Sequence, residues 1–431
     1  MNKTKLTKLA FTAAIALATT LTLSCGNHTF EELLGLDSSS SVEQELLSSS
    51  IKASSSSSSA VAKVSSSSQQ QSSDSHPGAI VGPLLKTKWA QGSPYNDLFP
   101  IVDGSRKVTD CATTSMVQIM AFHKYPARGK GESSVVGPTS NTYPSVSVPL
   151  TSMDVAYDWD NMLGEYTKAN PGNEQQRLAV ATIMYHFGLV RGIGGGWKSI
   201  VIDHFGYDKS FQVLYREYYS DAEWEAVIRK QLDLGLPIDV RVGSSVEIYS
   251  GHSVVIDGYD NAGKFHINWG WAGSYDGWYS VNEPLKNYYD FNLGVVQLNI
   301  NIKPDAGSIG SNEMALDSFT VSKTTVSQNE QFAITIQMRS AGLFPGGQMG
   351  VALADNSGNI VEVIGTRNLV EFSPGSRFSN PFTTNYKVPN TVAPGKYNLR
   401  FVTKMNGETN WKIATQSLPN VPKSIPLTVT E

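Results

Sequence analysis

Residues whose types could do covalent chemistry converge on one short run, TDCATTSMVQIMAFHKYP, which begins at Thr109 and carries Cys111. The sequence has two cysteines. The other, Cys25, closes an N-terminal segment of export type, where it is either cleaved away or chemically consumed. Cys111 is then left without a disulfide partner in an exported protein. An odd thiol there is either reactive or paired between molecules. Met116, Ile119 and Met120 follow at helical spacing, and Pro126 closes the run. Thr109 or Asp110 makes a natural N-cap, which puts Cys111 in the first helical turn. Unpaired N–H groups and the helix dipole there stabilise a thiolate, and the same N–H groups can donate to an oxyanion. The plainer alternative is a buried structural cysteine, which is where free cysteines usually sit. This stretch by itself leaves both open.

A thiol nucleophile needs a base to take its proton and later protonate a leaving amine. GHSVVIDGYD alternates apolar and polar positions, DNAG makes a turn, and KFHINWGW returns as a partner strand. His252 heads the first strand and Asn268 lies on the second, close enough to orient an imidazole. Trp269 or Trp271 could shield that contact from water, which strengthens it. Gln91, in a loop marked by Gly92 and Pro94, is either surface filler or a second donor to the oxyanion. Of the other histidines, His204 is the rival base but lacks a hairpin partner, and His266 reads as structural. His123 and His186 fall within helical stretches, where packing histidines are common. No histidine pair has the spacing of a zinc site, and a single free thiol cannot build a thiolate-rich one, so no metal or organic cofactor is implied.

These residues need scaffolding, and 431 residues suggest two folded units with appendages. The net charge of −4, without a basic cluster, excludes a nucleic-acid footprint. Residues 1–25 read as a signal peptide: Lys3, Lys5 and Lys8 precede an apolar run from Leu9 to Leu23. Its end, LTLSC, resembles a bacterial lipobox, so a lipid anchor at Cys25 is the one membrane contact expected. Residues 26–76 read as a disordered Ser-rich tether, too poor in apolar side chains to offset the entropy of ordering. Residues 77–304 hold the chemistry-bearing motifs. Within them a helix is expected from Glu174 to Phe187, with Leu178, Ile183 and Phe187 as its core face. A second is expected from Ser220 to Leu234, with Ser220 and Glu223 as a capping box and Gly235 as its stop. RGIGGGW, ending at Trp197, reads as a substrate-side loop or a plain turn. From 305 to 431 short alternating runs with Gly, Pro and Asn punctuation suggest a small antiparallel β-sandwich of immunoglobulin-like type.

Taken together, KWAQGSPYN, CATTSMVQIMAFHKYP, GHSVVIDGYD and HINWGWAGSYDGWYSV resemble the streptopain family of secreted bacterial cysteine peptidases. The resemblance covers roughly residues 80–300, with all four motifs in the family's order. It implies a papain-like peptidase domain that acts on protein or peptide substrates, and with the β-sandwich read from the pattern of residues 305–431 the chain is of α+β class. By resemblance Cys111 is the nucleophile, His252 the general base and Gln91 the oxyanion-hole donor. Asn268 matches the asparagine of the NWGW element, and either its amide or a backbone carbonyl beside Trp269 orients the histidine. Asp110 departs from the family's glycine; a carboxylate there would cap the helix but oppose thiolate formation. Only a serine tether precedes the catalytic stretch, where family zymogens often carry a folded pro-domain. The expected protein is an exported cysteine endopeptidase, either an outer-surface lipoprotein or secreted. A transglutaminase-type acyl transferase would use the same Cys–His site. An inactive surface binding protein would rely on the β-sandwich for protein or carbohydrate contact.

Overall fold

The computed structural model describes residues 78–138, 144–244, 251–281, 289–291 and 293–431. The expected signal peptide, lipobox and serine tether lie outside the described residues. Among the described residues no helix is long and apolar enough to cross a membrane.

Helix α1, Cys111–His123, starts where Asp110 caps it, its carboxylate accepting the Thr113 N–H at 2.6 Å. It ends at Lys124 in the left-handed conformation, φ 48°. Every residue from Cys111 to Met120 is buried. A helix buried on all sides belongs in the middle of a domain, and this one packs against both a second helix and a sheet. Helix α2, Glu174–Ile193, opens with an Asn173–Gln176 capping box and runs past the expected stop at Phe187. Ile183 and Phe187 are core residues, but Leu178 is 52% exposed. Five residues turn a helix by about 500°, so Leu178 points some 140° away from Ile183 and the three never shared a face. After Ile193 the chain passes through Gly194, Gly195 and Gly196, all at positive φ, into a short π-helix at Lys198–His204.

Strands β1 (Gln212–Tyr215), β2 (Ile238–Ser244), β3 (Gly251–Asp260), β4 (Phe265–Asn268), β5 (Gly277–Tyr279) and β6 (Gln297–Ile300) form an antiparallel sheet. Their spatial order is β5-β4-β3-β2-β6-β1. Helix α3, Asp221–Asp233, covers one face and carries the expected Ser220–Glu223 capping box. The alternation of β3 does not mark a half-exposed strand, because all ten of its residues are buried. Val255 belongs to the core beneath α1, while Val254 and Ile256 belong to the core beneath α3. Covered on both faces, β3 keeps its polar residues inside. Asp257, for example, accepts the Leu85 N–H at 2.9 Å and binds His266 at 2.6 Å.

From Met314 onward the chain forms a four-stranded and a six-stranded sheet around a shared apolar core that includes Leu316, Ile334, Val351 and Phe401. The strand pairings here are antiparallel, as expected, apart from parallel pairings of Ala315 with Gln416 and Thr325 with Thr428. Both involve strands of two to six residues that the chain reaches on crossing between sheets near its C-terminal end. This unit covers the free edge of β1: Val213 N–H donates to Ala341 O at 2.7 Å. Arg339 seals the junction, its guanidinium 4.0 Å from the Tyr215 ring centre and its Nε donating to Tyr218 Oη at 3.0 Å.

Candidate active site

Cys111 is the first residue of α1 and is 3% exposed. Its sulfur is engaged in a disulfide, whereas the expectation of an unpartnered thiol concerns a chain in which Cys25 has been cleaved away or chemically consumed. The Asp110 carboxylate beside Cys111 is fully engaged. One oxygen caps the helix and the other meets Arg191 Nη2 at 2.7 Å, with both side chains largely buried. The negative charge that would oppose a thiolate is therefore paired with a guanidinium at the same depth.

Gln91 is tied to the residue two before Cys111. Its backbone oxygen accepts the Thr109 N–H at 3.1 Å, and its Nε2 donates to Thr109 O at 3.1 Å. An amide nitrogen carries two protons, so one N–H of Gln91 remains for a ligand beside the start of α1. The segment is held again at Trp89, whose oxygen accepts the Ala272 N–H at 3.1 Å.

His252 heads β3 and is 6% exposed. Its Nε2 lies 2.9 Å from Trp269 O. A carbonyl can only accept, so Nε2 carries the proton and Nδ1 is the lone-pair nitrogen of the neutral ring. Burial pushes the His252 pKa down to about 4, against a smaller opposing effect of the Trp269 carbonyl. The ring sits among Trp271 at 4.7 Å, Tyr289 at 5.5 Å and Trp269 at 6.1 Å between centroids. Trp269 and Trp271 thus do surround the imidazole. Tyr289 joins them from a distant part of the chain and carried no signal in the sequence.

The Asn268 amide does not reach His252, because in the β3–β4 register Asn268 lies opposite Val255. Its Nδ2 donates to Thr87 O at 2.8 Å, and its Oδ1 accepts from Gln118 Nε2 and Gly270 N–H, each at 3.0 Å. The second of these acts on His252 indirectly. Gly270 N–H and Trp269 O belong to one peptide group, so Asn268 holds the N–H of the peptide whose oxygen holds the imidazole. Asp276 fixes the preceding peptide by accepting the Trp269 N–H at 2.8 Å, another contact the sequence does not disclose. Gly270, at φ 71°, lies against the first turn of α1: a Cβ there would stand 3.2 Å from Thr114 Cγ2. The turn bearing the histidine's acceptor is therefore packed three residues along from Cys111.

The remaining histidines among the described residues are engaged elsewhere. His204 binds Lys130 O at 2.9 Å, His123 binds Ile302 O at 2.8 Å and His186 meets Tyr157 Oη at 3.1 Å. Among the described residues no three His, Cys, Asp or Glu side chains are grouped to hold a metal.

Residues 89–279 match the peptidase C10 family. Streptopain of Streptococcus pyogenes is 28% identical over 232 residues, covering 47% of this chain and 56% of its own length. The thiol protease/hemagglutinin PrtT of Porphyromonas gingivalis is 29% identical over 219 residues, covering 47% of this chain and 24% of its own. The active wild-type interpain A cysteine protease of Prevotella intermedia is 30% identical, covering 52% of this chain and 95% of its own, with a TM-score of 0.45. The chain spans about half the length of the curated streptopain it matches, 56%. The Gln91 segment, α1 and the β3–β4–β5 strands all fall inside the matched residues, and it is this segment of the chain, residues 89–279, that belongs to the peptidase C10 family.

Proposed function

We propose that this chain is a cysteine endopeptidase with a papain-like catalytic unit, which hydrolyses peptide bonds through a Cys111 thioester. The observation that carries the reading is the His252 tautomer: with Nε2–H on Trp269 O, Nδ1 is left as a proton acceptor. Helix α1 packs on β3, which His252 heads, and the N–H groups at the start of α1 favour a thiolate at Cys111.

In the proposed reaction Nδ1 of His252 takes the thiol proton and the Cys111 sulfur attacks the scissile carbonyl carbon. The Cys111 N–H and the remaining Gln91 N–H hold the oxyanion. Imidazolium then returns its proton to the leaving amine, forming the thioester. Water, deprotonated by His252, cleaves the thioester and releases the acid and free thiol. The names of streptopain, PrtT and interpain A support a protein-cleaving role. Export, with either secretion or a lipid anchor at Cys25, is part of the same reading. So is an immunoglobulin-like module after residue 305 that spaces the enzyme or contacts protein or carbohydrate.

The test is casein digestion by the reduced full-length protein beside Cys111→Ala and His252→Ala. Loss of turnover in both folded variants is expected. Residual cleavage comparable to the parent in either would overturn the assignment, and products bearing an added amine would make it an acyl transferase.

A further inference from the structure

Gln118 stands two helical turns beyond Cys111, on the same face of α1, and is 0% exposed. It touches neither Cys111 nor His252 in any hydrogen bond described above, yet its amide joins all the parts that carry them. Nε2 donates to Asn268 Oδ1 at 3.0 Å. Oε1 accepts from Thr87 Oγ1 at 2.9 Å and from Trp89 N–H at 3.2 Å. Asn268 closes the ring by donating to Thr87 O at 2.8 Å. On one side the ring leads through Asn268 Oδ1 to the Trp269–Gly270 peptide and so to His252. On the other it leads through Trp89 to Gln91, two residues further along the chain.

We infer that Gln118 is a positioning residue that locks the Cys111 helix, the Gln91 segment and the peptide behind His252 into one frame. The inference rests on the peptidase reading, which gives those three parts their roles. Its amide has a fixed direction: it donates toward Asn268 and accepts from the Thr87–Trp89 segment, and each direction serves a different catalytic group. Replacing it with glutamate keeps both acceptor bonds but removes the donor. Asn268 must then turn its NH2 toward position 118, which takes the acceptor away from Gly270 N–H and frees the peptide that orients His252. Thr87→Val does the reverse. It removes one donor to Oε1, retains the Thr87 carbonyl, and loosens the Gln91 side alone.

Both variants are to be made in the full chain carrying Cys25→Ser, so that Cys111 is the sole thiol. Each is read by the rate of Cys111 alkylation with iodoacetamide from about pH 4 to 9, and by kcat and KM on a fluorogenic peptide. Gln118→Glu is expected to lower kcat on the order of 10- to 100-fold, with KM within about twofold, and to displace the midpoint of the alkylation profile. Thr87→Val is expected to lower kcat by about 3- to 10-fold while the alkylation midpoint stays in place. Folded variants that keep the parent's kcat and midpoint would reduce Gln118 to a core residue. Thr87→Val, close in shape to threonine, decides the matter if Gln118→Glu does not fold, because an unchanged kcat there overturns the inference. A parent that alkylates readily but cleaves nothing would sink the peptidase reading, while the displacement of the midpoint would still test Gln118.

Discussion

The imidazole Nε2 of His252 is 2.9 Å from the carbonyl oxygen of Trp269, and the N–H of that same peptide group is held by Asn268 Oδ1 at 3.0 Å. The asparagine therefore acts on the histidine through a peptide, and the peptide's plane sets the ring's direction. Gly270 makes this arrangement possible, because its φ of 71° is poorly tolerated by other residues and its α-carbon lies against Thr114. Gly270→Ala should cost about 1–2 kcal/mol in stability from the left-handed conformation. It should also lower kcat about tenfold or more as the peptide tilts away from His252. Thermal unfolding and steady-state kinetics check both. A lowered Tm with an unchanged kcat would show that the peptide's orientation does not govern the base.

The Asp110–Arg191 pair leads to a second prediction. The side chains are 4% and 11% exposed, so Arg191→Ala leaves a buried carboxylate without its cation. Breaking such a pair typically costs about 3–5 kcal/mol. The unpaired charge beside Cys111 should also raise the pH at which the thiol becomes reactive, whereas Asp110→Asn, which can still cap α1, should lower it. Alkylation profiles of the two reduced variants should move in opposite directions. Movement in the same direction would mean that Asp110 does not act on Cys111 through its charge.

A third prediction follows from the disulfide at Cys111. A sulfur in a disulfide cannot attack a carbonyl, so the protein as isolated without reductant should show little proteolysis. Dithiothreitol should raise activity about tenfold or more by restoring the thiolate. Titration of free thiols before and after reduction measures the same change independently. Full activity without reductant, with no rise when dithiothreitol is added, would contradict it.

Local signals in the sequence led far into this site. The Ser220–Glu223 capping box sits where its spacing indicated, and Cys111 does open a capped helix. The paired strands bearing His252 and Asn268 were also legible, because their turn and apolar pattern are contiguous. The reach of Asn268 was not, since it depends on register: opposite Val255, its side chain falls beside Gln118 and Thr87 instead of the imidazole. Asp110 with Arg191, and His252 with Tyr289, are brought together only by packing between distant segments, and no periodicity records that. Gln118 left a trace, as a polar residue between the apolar Val117 and Ile119 on a helix with no exposed face there. The trace gives burial but not the partners.

The buried histidines also fix how stability should respond to acid. Burial pushes His186 down to about 4 from an ordinary 6.5, with Tyr157 Oη as its hydrogen-bond partner. In the unfolded chain the ring takes up a proton as pH falls past 6.5, while in the folded chain it stays neutral until about 4. The unfolded state therefore binds more protons across this window, and stability must fall as pH drops through it. Asp239 works in the opposite sense. Burial raises it to about 6 from 3.8, against hydrogen bonds from Ser115 and Asn299, so its contribution is lost as pH rises toward 6. His186→Gln keeps a hydrogen-bonding side chain against Tyr157 and removes only the titration. Going from about pH 7 to pH 5, the parent should lose about 2 kcal/mol more stability than this variant in urea unfolding. Asp239 is common to both proteins and cancels in the comparison. Equal losses would mean that His186 is protonated in the folded protein near its ordinary pKa, and that its burial does not contribute to acid unfolding.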